Sequence, residues 1–338
     1  MQNHTRQKFN KLLSRVAELS GVPDSTQSFT VEPSVQQRLE DKIQESSAFL
    51  SQVNIVGVDD LKGQRLGINM SGPIAKRTDT NQHDREPRDI AELDEYGYSC
   101  ESTEFDTHMP WSKVDAWAKF PDFQIRVANM ISQQQALDRL TIGFNGISVA
   151  SETDRVANPL LEDVNKGWLQ QYREQAPARV LTEGSTTGEV RVGPGGDYEN
   201  IDALIFDATN EMIDPWHRES RELRVIAGRR LIADKYFQIA QQHGDTPSEM
   251  LALDMVVSSA RFGRLPAIRV PKMPETSLFI TPPSNLSIYW QRGSRRRYIV
   301  DNPRRKRVED YQSSNDAYVI EDFGAGCLIE NVMFGDWA

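Results

Sequence analysis

The chain has 338 residues, of which 38% are hydrophobic and 26% are charged, and its net charge is −10. This composition excludes an intrinsically disordered chain and predicts two compact units, or one domain with large excursions. No apolar run approaches the roughly 20 residues that a membrane span needs, and the N-terminus lacks a secretory apolar core. We therefore expect a protein of a cytoplasm-like compartment. Cys100 and Cys327 belong to no CxxC pair, which favours two reduced thiols.

The first 56 residues predict two amphipathic helices joined by a linker. Residues 4–21 place apolar side chains at helical spacing, and Gly21 and Pro23 end this helix. The next stretch, VPDSTQSFTVEPS, is rich in Pro, Ser and Thr and indicates an exposed linker, where proteases cut. A second helical pattern runs from Val35 to Leu50, and the β-like run VNIVGV follows it.

A long polar segment then interrupts the apolar pattern. From Ser71 to about Glu95 the chain is charged and has almost no apolar periodicity, whereas the segments on either side are β-like. A long excursion of this kind in a folded protein is usually functional or mobile. The pattern favours a two-stranded flap that reaches out from the body and lies on something else, because such a flap cannot bury its own apolar face.

The strongest helical pattern of the chain covers residues 122–145. Its apolar side chains form a broad face, and Asp122 is suited to cap its first turn. After a loop, a further helix is predicted over residues 160–176, where Pro177 stops it.

Residues 197–281 alternate helix and strand patterns, which predicts a compact α/β domain. The helices are expected at 201–212 and 229–244, and the strands at LRVIAG, LPAIRV and SLFIT. The tail, AYVIEDFGAGCLIENVMFG, predicts two strands joined at Gly324–Gly326.

Motifs for catalysis and metal binding are weak. The histidines are scattered and none belongs to an HExxH motif or lies beside a CxxC motif, so we expect no metal site and no cofactor. Gly193, Gly195 and Gly196 are followed by Asp197, but the lysine of a phosphate loop and the full GxGxxG pattern are both missing. A plain turn is the favoured interpretation, and a hydrolase that uses Gly193–Asp197 is a weak alternative. The sequence gives no positive reason to infer an enzyme.

One strongly basic run stands out in this acidic chain. Residues 291–307, QRGSRRRYIVDNPRRKR, have a net charge of +7, whereas the rest of the chain carries −17. The bases are Arg292, Arg295, Arg296, Arg297, Arg304, Arg305, Lys306 and Arg307. One hypothesis is nucleic-acid binding, with Tyr289, Trp290 and Tyr298 as stacking platforms. The other is a contact with the acidic surface of a second copy, which the charge of the remainder favours.

Several uninterrupted blocks resemble those of one known family. They are FTVEPSV, FDTHMPWSKVDAWAKFPDFQIRVAN, ETDRVANPLLEDVNKGWLQQYREQAPARV, VGPGGDYENIDALIFDATN, VIAGRRLIADKYF, LPAIRVP and NLSIYW. In this order, from about Arg6 to Gly335, they resemble the major capsid proteins of peduovirus-type tailed phages, the phage P-two group. The resemblance implies an α+β structure with the HK-97-like capsid fold.

The resemblance also implies a division of the chain into the parts of that fold. The expected parts are 1–29, an N-terminal assembly or propeptide segment; 30–56, the N-terminal arm; 57–110, the extended-loop region; 111–196, the peripheral domain with its spine helix; 197–310, the axial domain; and 311–338, return strands to the peripheral domain. In an isolated subunit, we expect residues 71–95 to be disordered, because they supply too little apolar area to offset the entropy of ordering.

By the same resemblance, the chain is expected to be a structural protein and not an enzyme. It would self-assemble into pentamers and hexamers of an icosahedral head that encloses double-stranded DNA. The implied partners are other copies, a scaffolding protein, a maturation protease, the portal protein and packaged DNA bound non-specifically, with no membrane. A phage protease is expected to cut near Phe29–Thr30, and the basic run is expected to contact neighbouring subunits. A nucleic-acid-binding protein that uses 292–307 is the alternative.

Overall fold

The computed structural model describes residues 1–64, 68–70, 75, 77–78, 91–93, 97–120, 122–233, 235 and 261–337. In this part of the chain the α-helices are α1 (Asn3–Leu19), α2 (Pro33–Glu45), α3 (Trp111–Trp117), α4 (Phe123–Asn145), α5 (Trp168–Gln175), α6 (Ile201–Met212) and α7 (Pro215–Arg218). The strands are β1 (Phe29–Thr30), β2 (Asn54–Val58), β3 (Lys62–Gln64), β4 (Ile68–Met70), β5 (Ala91–Leu93), β6 (Gly97–Ser99), β7 (Glu101–Glu104), β8 (Thr107–Pro110), β9 (Val180–Leu181), β10 (Val190–Val192), β11 (Arg224–Ala227), β12 (Arg261–Phe262), β13 (Leu265–Arg269), β14 (Leu278–Thr281), β15 (Leu286–Gln291), β16 (Arg296–Asn302), β17 (Arg307–Ile320), β18 (Cys327–Ile329) and β19 (Val332–Phe334). The helices predicted over 4–21, 122–145 and 201–212 are confirmed as α1, α4 and α6.

A seven-stranded sheet is organised around β17, and we call it the long sheet. On one side of β17, β15 and β16 pair with it in succession, so that they form one interrupted strand. The interruption is the short loop between them, where Gly293 has a φ of 70°. On the other side β7 and β8 pair with β17, while β1 and β2 extend the sheet beyond β16 and β15. Consecutive residues of β17 point to opposite faces, and one face is covered by helices.

The core beneath the long sheet is formed by α2, α4 and α5. Trp168, Leu140 and Ile43 are fully buried here against Ile288 and Tyr318 of the sheet. The indole of Trp168 donates to the carbonyl oxygen of Ser287 at 3.0 Å, so α5 is fixed to β15. This packing holds the long helix α4 rigidly across the sheet.

A six-stranded sheet, in the order β12-β13-β11-β14-β18-β9, forms the second core. Helix α6 packs on it through Leu204 and Ile205, which lie against Val225, Ile280 and other buried side chains. The side chain of Asn200 caps α6 by accepting from the backbone N–H of Ala203 at 2.9 Å, as expected for an N-cap asparagine.

Helix α1 packs against α3 and the far end of the long sheet. Phe9 and Val16 are buried there with Val114, Ile299 and Val308. The apolar stripe of α1 is therefore used within the subunit.

The predicted flap begins as two antiparallel ladders, β3 with β6 and β4 with β5. Its two-stranded character is confirmed as far as Met70 and Ala91, and most of residues 71–90 lie outside the described residues. Most of the helix predicted over 229–244 also lies outside them.

The helix predicted over 160–176 begins only at Trp168. Residues before it form turns, because the Asp163 carboxylate accepts from the backbone N–H of Asp154 and the side chain of Asn158. Gly167 lies so close to α4 that a Cβ would be 2.2 Å from the carbonyl oxygen of Ile142. Similarly, the second predicted helix ends at Glu45 instead of Leu50, and Leu50–Gln52 is a short 3-10 turn.

Two strands run across boundaries between the expected parts of the chain. The boundary between residues 310 and 311 cuts through β17, and the one between 56 and 57 cuts through β2. The expected axial domain, 197–310, also contains β15 and β16, which belong to the long sheet and not to the six-stranded sheet. Of the expected return strands in 311–338, β17 belongs to the long sheet, β18 pairs with β14 and β9 of the six-stranded sheet, and β19 pairs with β10. Hydrophobic periodicity identifies strands but not the sheet that each strand joins.

Candidate intersubunit surface

The basic run folds into a hairpin made by β16 and β17. Asn302 pairs with Arg307 at its end, and the turn between them contains Pro303, Arg304, Arg305 and Lys306, which are all exposed. We call these four residues the hairpin tip. Within the described part of the chain, no ion pair involves the three cations of the tip or the exposed Arg296.

The other bases of the run have carboxylate partners in their own subunit. Arg297 makes a bidentate pair with Asp310, at 3.1 and 2.7 Å from the two oxygens. Arg307 pairs with Glu309 at 2.6 Å. The more exposed Arg292 lies 3.2 Å from Asp59. These pairs neutralise much of the positive charge along the strands. The exposed positive charge of the basic run is therefore concentrated at the hairpin tip.

Arg295 lies inside the subunit, in a cluster of buried charges. Its guanidinium donates to Glu40 of α2 at 2.9 Å, and it also donates to Gln135 and Gln312. Arg139 of α4 bridges the same Glu40 carboxylate. This placement corrects the prediction that Arg295 contacts a neighbouring subunit, because a side chain that is 2% exposed and enclosed by its own chain has no surface left to offer.

The two carboxylates of this cluster differ in their electrostatics. Burial alone would raise the pKa of Glu40, but the charges and hydrogen bonds of Arg139 and Arg295 outweigh it and hold the pKa below its usual value. Asp316 has one close guanidinium, Arg139 at 3.1 Å, and burial keeps its pKa above the usual value. The cluster therefore joins α2, α4 and the long sheet by ion pairs. Within it, Glu40 has two close guanidinium groups and Asp316 has one.

The aromatic residues near the run do not form an open stacking platform. Trp290 is 1% exposed, and Tyr289 packs edge-on against Tyr98 with its hydroxyl donating to Glu321. Tyr298 stacks on Tyr311 at a centroid distance of 5.9 Å. Of the three aromatic residues proposed to contact bases, Trp290 is therefore buried, Tyr289 packs on Tyr98, and Tyr298 already has Tyr311 stacked on its ring.

The predicted cleavage site lies on an edge of the long sheet. Phe29 and Thr30 form β1, which pairs antiparallel with Arg297 and Arg296 of β16. Phe29 is buried, whereas the preceding residues 26–28 form an exposed bend. The linker is thus open to a protease just before the predicted bond, while the bond itself is held by the sheet.

The glycine-rich loop has a structural explanation. The carboxylate of Asp197 accepts from the backbone N–H of Ser185 at 2.7 Å and of Arg191 at 2.8 Å. Hydrogen bonds from the Ser185 side chain and from these amides lower its pKa. Gly193, with a φ of 135°, packs so closely on the C-terminal segment that a Cβ would be 1.9 Å from the Gly335 oxygen. This loop does not support the hydrolase alternative.

Among the described residues, no group of three or more His, Cys, Asp or Glu side chains is placed to hold a metal ion. His217, which lies 2.8 Å from Asp322, forms a simple pair. Both cysteines are buried, and burial raises the pKa of each thiol to about 12. The described helices include none that is long and apolar enough to cross a membrane.

Sequence reasoning missed one further surface, a groove of about 1220 Å³ between β7, β8, α4 and the loop that follows α4. Its ionisable side chains are Glu101, Glu104, Asp106, Asp138, Glu152, Arg155 and Lys272. We call it the acidic groove. Its acids come from three separate segments, so no local sequence pattern could have identified it.

Comparison with known proteins agrees with this architecture. Residues 8–332 match the family model described as the phage major capsid protein, P2 family. The chain is 49% identical to the capsid protein of Escherichia phage P2, over 100% of this chain and 97% of that protein. It is 37% identical to the major capsid protein of Serratia phage KSP20, over 99% and 98% of the two chains.

A solved structure, the satellite phage P4 procapsid with its size determination protein, contains a chain with a TM-score of 0.83 to this one. The two chains are 45% identical, and the match covers 100% of each. The fold is accordingly the HK-97-like capsid fold that the sequence predicted. Because the family model matches residues 8–332, which is nearly the whole chain, the chain belongs to the P2 family of phage major capsid proteins.

Proposed function

We propose that this capsid subunit contacts its neighbours in the shell through the hairpin tip. The protein is the major subunit of an icosahedral phage head, and its oligomerisation into a shell follows from its family. The observation that carries the proposal is the tip itself, where Arg304, Arg305 and Lys306 are exposed and make no ion pair within the described residues. Three clustered cations on a chain of net charge −10 are suited to a carboxylate-rich surface of another copy.

Reversal of the tip charges tests this proposal. The variant Arg304→Glu/Arg305→Glu/Lys306→Glu should fold but should give few shells by sedimentation and electron microscopy. A matched control, Lys11→Glu/Lys42→Glu/Lys113→Glu, changes the net charge equally but at three separate exposed lysines. Normal shells from the tip variant would contradict the proposal, and an equal defect in both variants would mean that net charge, not the tip, is responsible.

The further partners that we propose follow from the role of the subunit in a phage head. These are a scaffolding protein, a maturation protease, the portal protein and packaged DNA, with the host cytoplasm as the compartment before assembly. DNA contact would be non-specific, since a surface of this net charge repels phosphate over most of its area. A nucleic-acid-binding module based on 292–307 is disfavoured, because Arg295 and Trp290 are buried.

We also propose that residues 1–29 are removed by a protease near Phe29–Thr30 during maturation. The exposed bend at 26–28 supports access, and β1 would have to detach from β16 for the bond to enter a protease cleft. The intact mass of the subunit from infectious particles tests this. The expected chain begins within two or three residues of Thr30, and a chain that still begins at Met1 or Gln2 would contradict the proposal.

A further inference from the structure

The acidic groove has a strong excess of negative charge. It is lined by five carboxylates and by two bases, Arg155 and Lys272. None of the five carboxylates makes an ion pair with any residue that the structure describes. Glu104, Asp106 and Glu152 are exposed at its surface. A groove with this charge is suited to a cationic segment.

Two carboxylates of the groove, Asp106 and Asp138, have pKa values above the ordinary value for aspartate, with burial as the main cause. Burial raises the pKa of Asp106, and the neighbouring Glu104 raises it further, although a backbone N–H and Arg155 act in the opposite direction. Burial likewise raises the pKa of Asp138, which Arg155 and Lys272 only partly offset. An additional cation in the groove would favour the ionised form of both groups.

The groove meets the middle of β17, whereas the hairpin tip lies at the N-terminal end of that strand. Glu104 of the groove pairs with Ser313 of β17, and the tip immediately precedes Arg307. Arg307 lies six residues before Ser313, which corresponds to about 20 Å along the strand. The sheet fixes this separation, and among the described residues no ion pair joins the tip to the groove carboxylates of its own subunit, so the tip is available to the groove of another chain.

We infer that the hairpin tip of one subunit docks into the acidic groove of a second copy of this chain. Arg304 and Arg305 would make bidentate pairs with the groove carboxylates, as guanidinium groups do with carboxylates. Their alkyl stems and Pro303 would pack on Leu137 and Val149, which line the groove and are 39% and 45% exposed. This inference rests on the proposed function of the tip and names its partner surface.

The contact would be head to tail, because the two surfaces are different and one cannot pair with itself. Contacts of this kind form rings when the rotation between neighbours closes. Three, five or six subunits could be joined in this way, as a closed shell requires. The contact would also use most of the unpaired positive charge of the hairpin without burying a charge that lacks a partner.

A charge exchange tests the inference. The tip variant Arg304→Glu/Arg305→Glu and the groove variant Glu104→Lys/Glu152→Lys should each lower the yield of shells by about tenfold or more. The combined variant should recover most of that yield, because opposite charges again face each other. A matched control, Glu199→Lys/Glu211→Lys, reverses two exposed acids outside the groove and should not restore assembly of the tip variant.

A disulfide experiment gives a second readout that does not depend on charge. Chains with Arg305→Cys and chains with Glu152→Cys are co-assembled and oxidised, and the two native thiols are buried. A cross-linked dimer that joins residues 305 and 152 of different chains is expected. Chains with Arg85→Cys in place of Arg305→Cys serve as the comparison, since 71–95 has no cysteine of its own. A cross-link from residue 152 to residue 85, and none to residue 305, would show a different occupant and overturn the inference.

The outcomes separate the inference from the proposed function. If reversal of the tip blocks assembly but the groove variant assembles normally, the tip remains an intersubunit element and the groove is refuted as its partner. If the tip variant assembles normally, the proposed function of the tip fails as well. Circular dichroism of each unassembled variant checks folding, and the single exposed substitutions of the disulfide experiment decide the question if a charge variant misfolds.

Discussion

Replacement of Arg295 by methionine should destabilise the subunit strongly, although the same replacement at Arg304 should not. Both residues belong to one basic run, but Arg295 is 2% exposed and donates to Glu40, whereas Arg304 is exposed at the hairpin tip. Methionine keeps much of the side-chain volume, so the change tests mainly the loss of the guanidinium.

The magnitude follows from the buried cluster. In the native cluster, Arg139 and Arg295 balance the charges of Glu40 and Asp316. Loss of one guanidinium leaves a buried carboxylate without full compensation, which typically costs about 3–5 kcal/mol. Two glutamine side chains, Gln135 and Gln312, also lose a donor to their oxygens. The exposed Arg304→Met change should stay within about 0.5 kcal/mol.

Urea denaturation of the unassembled subunit, followed by the fluorescence of the buried tryptophans, measures the difference. With an m-value of about 3 kcal/mol/M, the Arg295→Met midpoint should fall by about 1 M or more, and the Arg304→Met midpoint should hardly change. Equal midpoints for the two variants would refute the structural role of Arg295 and return it to the candidate intersubunit contacts.

Four further predictions follow from the sequence and the structure. The folded pKa of Glu40 lies below its ordinary 4.5, so the contribution of Glu40 to stability is present above pH 4.5 and is lost as the pH falls through the folded pKa. Glu40→Gln should remove this pH dependence, which urea midpoints measured against pH would show. The folded pKa of Asp316 lies above its ordinary 3.8, so its contribution to stability is present below pH 3.8 and is lost as the pH rises through the folded value. Asp316→Asn should abolish that pH dependence in the same assay. Gly193→Ala should destabilise the subunit by more than about 1 kcal/mol in the same assay, because the new Cβ would clash with Gly335. The control is Gly188→Ala, where the φ of 76° is equally unfavourable for alanine but nothing lies within 4 Å, and it should cost less. Equal costs would exclude the clash. Deletion of 76–92 should leave the urea midpoint unchanged and abolish stable shells in electron micrographs, and normal shells would contradict a role of this segment in assembly.

The elements that could be predicted are those whose signal is local. Helix α4 was found at Phe123–Asn145 because its apolar pattern lies within one segment. The predicted cap by Asp122 is wrong, since its carboxylate accepts from Arg126 and makes no cap hydrogen bond. Helix α5 was predicted about eight residues too long, since the apolar residues before Trp168 also fit a helical spacing. What prevents a helix there is a close backbone contact of Gly167 with α4, which no local pattern contains.

The candidate site was predictable only in part, for the same reason. Nothing near Arg295 distinguishes it from Arg304, because its partner Glu40 is 255 residues away in the sequence. The acidic groove was invisible because its carboxylates gather only when β7, α4 and the following loop pack together. Family resemblance identified the fold and the role of the protein, but it did not distinguish buried from exposed cations within the hairpin.

Electron microscopy of the purified chain, expressed alone and with a scaffolding protein, tests the central claim most directly. The account predicts closed shells, tubes, or pentameric and hexameric capsomers, with sedimentation coefficients far above that of a 38.4 kDa chain. A chain that remains monomeric under all assembly conditions and binds DNA in a salt-sensitive manner would contradict it.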